Sequence, residues 1–499
     1  MIEKYYDGAI EQVAAGLGTV EKNHLLVRYS GQFSIEELSY TDQLEKMENI
    51  FVQMHEFEPG EITSAYEPYL TMICDGFRRY MTGTFEEFME ECDVYYLHRP
   101  VLLGYFNRGY AKREEIILLD EVAYEQERML AALERMLYAI ADRHPVLLIL
   151  NRFQLASKST MQLTARILKA ENSNIGLVLG VSDIQAMPEF LVPDWEMLYE
   201  TLDDGSKIYH IGNSGRKKEE IADDGKYADY GSEKVYRKLQ NMVEFLDFDQ
   251  AAYYLEVIER KIKFDNLFVD DPARFRMWLL FAKVSILRKD IPKALEICED
   301  LEKIHLAGRE DECAYEQDYL IATAYMYQGK LKEALEMAGE TYRIAEKISD
   351  DYRKFLSELL KAQIQMSGWY NIFFCAQDVP IQEDLIEKLK QYGYWNNLAH
   401  IYVYAYDNQP EVVARAYHSE ESLVHFSMGI ALAKKIGNEQ LVYDAYQKNI
   451  MIAATSGMNE IAILYSVRTY QFLQDKRSLQ IGRIYSGLGY NLSAMGENH

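Results

Sequence analysis

The chain of 499 residues lacks several features that would narrow its function. It has 5 cysteines, an odd number, and no C-x-x-C pair, which favours free thiols in a reducing compartment and excludes a disulfide-rich scaffold. The 10 histidines do not cluster with them, so no zinc or other metal site is expected. No apolar run reaches the roughly 20 residues of a membrane span, and the acidic start MIEKYYDGAIEQ is not a secretory signal. We therefore predict a cytoplasmic protein with no membrane partner.

Positive charge is also scarce. Lysine and arginine total 53 against 79 aspartates and glutamates, a net charge of −26. Such a surface repels phosphate backbones. Direct binding of nucleic acid by this chain is therefore not expected.

Residues 1–215 mix short apolar strands with amphipathic helices. The predicted strands, each bounded by Gly, Ser, Asn or Pro, are HLLVRYSG (24–31), HPVLLIL (144–150), NIGLVLGVS (174–182) and SKIYHIG (206–212). Apolar residues at helical spacing predict helices over 121–143 and 159–171, with Ser159 as a candidate N-cap. Strand, helix and strand in this order predict an α/β domain with a parallel sheet.

Beyond a polar, Gly-rich segment at 216–233, which is typical of a linker, the chain reads as all-α. Residues 279–301 align with 319–341, so that Ala282 matches Ala322. Ala294 and Ala334 also correspond, on the triplets KAL and EAL. A period of about 40 residues is typical of helix-hairpin repeats, so 234–499 is predicted to be an α-solenoid. An irregular helical array is the alternative.

The last stretch carries the clearest repeat copy. Tyr485, Leu488, Gly489, Leu492 and Gly496 fall at the spacing W-x-x-L-G-x-x-Y-x-x-x-G, which resembles the first helix of a tetratricopeptide repeat (TPR). The resemblance implies close helix approach at the small residue and a left-handed cap at the final glycine. No second helix follows, so the array is expected to be truncated at its C-terminal end.

The run from 121 to 183 resembles the middle of the ATPase module of signal-transduction ATPases with numerous domains (STAND), a branch of the AAA-related P-loop fold. A helix leads into HPVLLIL, and NRFQLASKSTMQLTARIL then leads into the strand IGLVLGVS. The segment EPYLTMICDGFRRY (67–80) resembles another helix of such modules. The resemblance implies a nucleotide-binding fold with a phosphate loop after the first strand and two acids after the HPVLLIL strand.

The chemistry of that module is missing. No G-x-x-x-x-G-K-[ST] occurs, and the stretch after the first strand offers Ser30 and Gly31 with no lysine. Asn151 and Arg152 stand where the acids would hold magnesium. The string EEIILLDE (114–121) also looks like such an acidic strand, but no phosphate loop precedes it, and its last two acids are expected to begin the following helix. We therefore predict a degenerate module with no catalytic residue, cofactor or metal.

Two functions remain open. The first is a regulatory binding protein, as in bacterial regulators that join an ATPase-like module and TPRs to an output domain. The solenoid groove would take a protein, a peptide or a small signal, self-association stays open, and the output, a helix-turn-helix or diguanylate cyclase domain, would lie outside this chain. The alternative is a nucleotide-binding switch or weak ATPase with an atypical phosphate loop.

Overall fold

The chain divides into two compact units. The sheet unit comprises Met1–Glu114 and Val122–Arg288, and the helical unit comprises Glu115–Glu121 and Lys289–His499. The computed structural model describes residues 2–18, 24–29, 33–38, 49–113, 115, 117–170, 172–182, 187–202, 208–211, 230–265, 267–367, 383–405, 420–455, 458–473 and 481–496.

The sheet unit is built on a parallel sheet. Its strands are β1 (His24–Tyr29), β2 (Phe51–Glu56), β3 (Val146–Asn151), β4 (Ile175–Ser182) and β5 (Ile208–Ile211). Their order in the described sheet is β2-β3-β4-β1-β5, and every neighbouring pair is parallel. The parallel sheet confirms the predicted α/β class, and all four predicted strands are present. The sequence prediction missed β2, whose polar residues Gln53, His55 and Glu56 hide its apolar alternation.

Helices cover both faces of this sheet. The helices of the sheet unit are α1 (Ile2–Gly16), α2 (Tyr69–Tyr80), α3 (Phe85–Glu91), α4 (Arg99–Arg108), α5 (Val122–Ala141), α6 (Lys158–Lys169), α7 (Val192–Leu202), α8 (Glu233–Glu244), α9 (Phe248–Phe264) and α10 (Asp271–Leu287). The helices predicted over 121–143 and 159–171 are α5 and α6. The N-cap of α6 is Ser157, which accepts from the Thr160 amide. Ser159, the predicted cap, instead accepts from the backbone N–H of Tyr66.

The sheet core follows the alternation of β3. Leu147 and Ile149 pack with Tyr6, Ile10 and Val13 of α1, so the intervening residues of the strand point to the opposite face. Every residue of β3 and β4 is buried, as expected of parallel strands covered on both sides.

Helices α8–α10 belong to the sheet unit. Asn241 Oδ1 of α8 accepts from the Ala111 amide at 2.8 Å, and Asp247 Oδ2 accepts from the Ser159 amide at 3.1 Å. The boundary between the compact units therefore falls after Arg288, whereas the sequence prediction placed it at 234. Most of the predicted linker, 216–229, lies outside the described residues.

The helical unit is a series of antiparallel hairpins. Its described helices are α11 (Ile291–Leu301), α12 (Glu310–Tyr327), α13 (Leu331–Lys347), α14 (Asp351–Ser367), α15 (Glu383–Tyr392), α16 (Trp395–His400), α17 (Glu420–Ile436), α18 (Glu439–Thr455), α19 (Asn459–Leu473) and α20 (Ile481–Ala494), with a π-helix at Ile401–Ala405. Ala322 and Ala334 are fully buried within one hairpin, as the repeat predicts. Ala282 and Ala294 are fully buried at the matching positions of the other copy.

The last described helix departs from the repeat prediction in one respect. Gly496 has a φ of +84°, so the predicted left-handed residue after α20 is confirmed. A Cβ on Gly489 would meet no described atom within 4 Å. Among the described residues, the close helix approach expected at this glycine is not seen. None of the described helices combines the length and apolar character needed to cross a lipid bilayer.

Candidate functional site

The carboxyl edge of the sheet brings together the end of β3 and the end of β1. Asn151 is fully buried there. Its Oδ1 accepts from the Tyr29 hydroxyl at 2.5 Å, and its Nδ2 donates to the Phe33 carbonyl at 3.1 Å. Both ends of the amide are thus engaged by the chain itself.

Arg152 turns away from β3 in a left-handed conformation, with φ +52°. Its guanidinium lies 3.2 Å from Glu56 Oε1 and 3.2 Å from Glu58 Oε2. The other oxygen of Glu56 accepts from the Ile35 amide at 2.8 Å and from Ser34 Oγ at 3.0 Å. The one cation at the predicted acidic position is therefore neutralised by carboxylates of β2 and the residues after it.

Tyr6 of α1 packs against the sheet near this edge. Its side chain is fully buried, burial raises the pKa of its hydroxyl well above the ordinary value, and that hydroxyl has no partner among the described residues. It approaches β4 at Gly180, where a Cβ would lie 2.4 Å from Tyr6 Oη and 2.7 Å from Asn151 Oδ1. Glycine is required there because α1 and β3 both crowd that strand. Ser30 and Gly31, the predicted phosphate-loop positions, lie outside the described residues.

A second polar centre lies in the helical unit, and we call it the Glu121 cluster: Glu121, Asn396, His400 and Asn438. Glu121 Oε1 accepts from His400 Nε2 and from Asn438 Nδ2, each at 2.8 Å. Its Oε2 accepts from Asn396 Nδ2 at 2.9 Å. A carboxylate about 5% exposed thus receives three hydrogen bonds.

Glu115, six residues earlier, meets the same helix. Its Oε1 accepts from the backbone N–H of Asn397 at 2.6 Å and from the side-chain Nδ2 of Asn397 at 2.9 Å. Between the two glutamates, the Leu119 amide donates to the Tyr327 hydroxyl at 3.0 Å. The segment 115–121 is therefore bound at both ends and along its backbone.

Charge is compensated within the Glu121 cluster. Burial would raise the pKa of Glu121, but the His400 charge and the three hydrogen bonds together hold that pKa below its usual value. Burial would likewise lower the pKa of His400, and the facing carboxylate raises it above its usual value instead. Both shifts favour the charged forms, Glu121 as the carboxylate and His400 as the imidazolium.

The sequence prediction did not find this cluster. Glu121 was expected to begin the helix after it, but α5 begins at Val122 and the Glu121 side chain is buried in the helical unit. The sequence Gly437–Asn438 is a typical helix end followed by a helix N-cap, so it could have indicated that a helix boundary lies there. In the structure Gly437 has a positive φ, and Asn438 Oδ1 accepts from the Leu441 amide. Within the described part of the chain, no group of three His, Cys, Asp or Glu side chains could hold a metal ion.

Comparisons with known proteins give few matches. No protein-family model matches the chain, and no curated protein does. Among solved structures, the chain is similar to a Signal Transduction ATPase with Numerous Domains (STAND) protein with a tetratricopeptide repeat sensor from Pyrococcus horikoshii. The two share 11% identity with a TM-score of 0.39, over 95% of this chain and 83% of that one.

Proposed function

We propose that this chain is a non-catalytic regulatory binding module of signal transduction. The sheet unit serves as a scaffold, and the helical unit recognises a protein or peptide partner. The output under its control, a helix-turn-helix or diguanylate cyclase domain according to the resemblance, belongs to the same proposal, as does a cytoplasmic location.

The carboxyl edge of the sheet is the observation that carries the proposal. In open parallel sheets, ligands bind outside the carboxyl ends of the strands. Here the described polar groups at that edge contact one another. Asn151 is hydrogen-bonded to the Tyr29 hydroxyl and the Phe33 carbonyl, and Arg152 forms a salt bridge with Glu56. A phosphate would have to displace Glu56 from the guanidinium, and a magnesium ion would meet an amide and a cation instead of acids.

The helical unit supports the binding half of the proposal. It already binds a stretch from a distant part of the sequence, 115–121, which ends in a single 3-10 turn, through side-chain amides, a hydroxyl and an imidazole. Stacked helical hairpins commonly bind extended segments in this way.

Calorimetric titration of the full chain with ATP or ADP in the presence of Mg²⁺ tests the non-catalytic half. We expect no binding heat up to roughly 1 mM nucleotide, a free energy weaker than about −4 kcal/mol, and no phosphate release. Micromolar binding would overturn the proposal in favour of the alternative, a nucleotide-binding switch or weak ATPase. In that event R152A, which removes the cation at the edge, would locate the nucleotide by its effect on the affinity.

A further inference from the structure

Residues 115–121 are bound within the helical unit although they lie between two stretches of the sheet unit in the sequence, and we call them the guest segment. It reads EIILLDE, with glutamates at both ends and the apolar run IILL followed by Asp120 between them. Ile117 and Leu119 are buried, and both terminal glutamates are buried as well. Its partners lie 208 to 317 residues further along the chain. The contacts that fix its position are therefore made with residues distant in the sequence.

The groups that receive the guest are held in position by the helical unit itself. Asn397 Oδ1 accepts from Gln363 Nε2 at 2.9 Å, which orients its Nδ2 toward Glu115. Asn438 Oδ1 caps α18 through the Leu441 amide, which orients its Nδ2 toward Glu121. The donors are thus arranged by contacts in which the guest takes no part, as in a preformed binding site.

These donors select for carboxylates. Asn396, Asn397 and Asn438 present N–H groups, and His400 Nε2 lies 2.8 Å from Glu121 Oε1, with a pKa that the carboxylate raises. A carboxylate satisfies all of them because it only accepts hydrogen bonds. Glu121 accepts on both of its oxygens, so an amide there would set its own N–H against a donor in a buried site, where unsatisfied donors are costly. Both bonds to Glu115 reach a single oxygen, so the selection against an amide comes from the Glu121 end.

We infer that the helical unit contains a receptor site for a short segment that bears two carboxylates six positions apart, separated by an apolar run and Asp120, and that ends in a single 3-10 turn. Residues 115–121 fill this site in cis. The inference rests on the proposed function as a binding module and names the chemistry of its partner. A partner protein would present a segment of the same pattern and displace the cis guest.

Displacement can be measured with the guest peptide itself. The probe is fluorescein-labelled EIILLDE, titrated with full-length protein and followed by fluorescence anisotropy. Occupancy in cis lowers the apparent affinity by the fraction of empty sites. In E115Q/E121Q the cis guest loses its carboxylates, so we expect the probe to bind at least about tenfold more tightly than to the unchanged chain. The control probe, with glutamine in place of both glutamates, should not bind.

Three results would overturn the inference. They are the absence of probe binding by folded E115Q/E121Q, equal affinity of the variant and the unchanged chain, and equal affinity of the two probes. The first result would mean that 115–121 is a fixed structural element. If the double variant fails to unfold cooperatively, E121Q alone, which keeps the Glu115 contacts, is titrated in its place with a smaller expected gain.

A receptor-side variant places the bound probe. Adding H400Q to E115Q/E121Q removes the charge that faces the distal carboxylate, and we expect the probe affinity to fall severalfold. Unchanged affinity would mean that the probe binds elsewhere, and would also overturn the inference. Failure of the peptide to bind as expected would overturn this inference and leave the nucleotide titration unaffected. Nucleotide binding would overturn the non-catalytic function without changing the peptide anisotropy. The two failures are therefore distinguishable.

Discussion

Each of the two units contains a buried histidine–glutamate pair, and the pKa of the histidine is shifted in opposite directions in the two pairs. In the sheet unit, His98 Nε2 lies 3.0 Å from Glu125 Oε2. In the helical unit, His400 Nε2 lies 2.8 Å from Glu121 Oε1. Burial lowers the pKa of His98 and the net shift is downward, whereas the net shift of His400 is upward.

The surroundings of each carboxylate explain the difference. Glu125 also faces Arg128, at 3.4 Å, and the charges of Arg113 and Arg128 both disfavour protonation of His98. The other donors to Glu121 are the neutral amides of Asn396 and Asn438. Glu121 has no arginine partner among its described hydrogen-bond donors, so the positive charge that favours the buried carboxylate comes from His400. Beside Glu125, Arg128 supplies that charge instead. The same two residue types thus favour a neutral histidine in one unit and a charged one in the other.

The largest effect is expected from removing the cation of the helical pair. H400L leaves the Glu121 carboxylate buried without a countercharge, a loss of about 3–5 kcal/mol. H400Q is the matched control, since it keeps a hydrogen-bond donor and should cost less. Hydrogen exchange of α16 and α18 in the full chain measures both. An H400L cost below about 1 kcal/mol would contradict the ion pair.

Removing Arg128 should make the sheet pair resemble the helical one. In R128M, Glu125 loses its arginine, so the pKa of His98 should rise and the histidine should become the cation. We expect a cost of about 2 kcal/mol, less than for a fully buried pair because Arg128 is partly exposed. NMR titration of the His98 ring tests the shift, and an unchanged pKa would mean that burial alone keeps His98 neutral.

The two pairs should respond to pH in opposite directions. The raised pKa of His400 adds stability that is fully present below its ordinary 6.5 and is lost as pH rises through the folded value. The lowered pKa of Glu121 adds stability that is present above its ordinary 4.5 and is lost as pH falls through the folded value. The cluster should therefore be tightest between these two pH values.

The lowered pKa of His98 has the opposite sign. Its contact is fully favourable above pH 6.5, and the sheet unit loses stability as pH falls from there toward the folded pKa. Each effect has a maximal slope of about 1.4 kcal/mol per pH unit. Hydrogen exchange from pH 5 to 8.5 on the full chain, H400Q and H98Q isolates each slope by difference. Slopes of the same sign would contradict the opposite pKa shifts of His400 and His98.

The smallest effect separates the two tasks of Asn438. N438S keeps an acceptor that can cap α18 but loses the donor to Glu121, whereas N438A loses both. We expect N438A to cost about 1 kcal/mol more than N438S, the usual value of an N-cap. Equal costs would mean that the cap contributes nothing and that Asn438 acts through Glu121 alone. Thermal unfolding monitored by hydrogen exchange of α18 resolves the difference.

Local backbone structure was predictable here, and the meeting of distant side chains was not. Strands β1, β3, β4 and β5 and helices α5 and α6 follow from apolar spacing and from the residues that bound each run. Asn151 and Arg152 were found because the end of a buried strand fixes where the next side chains lie. The Glu121 cluster could not be found in this way, because asparagines 275 and 317 residues away carry no spacing that points back to it. Likewise β2 was missed because half of its residues are polar.

The excursion of 115–121 into the helical unit has a consequence for synthesis. The chain passes into that unit at 115, returns at 122 and passes into it again after 288. Asn438, which completes the Glu121 carboxylate shell, is synthesised 317 residues after the glutamate it binds. At about 5–20 residues per second this interval lasts roughly 15 to 60 seconds. During it, all residues of the sheet unit have been made while the stretch IILL between Glu115 and Asp120 waits without its receptor. The newborn chain therefore carries a short apolar segment that is open to chaperones, or to another nascent copy, until the residues up to Asn438 have emerged.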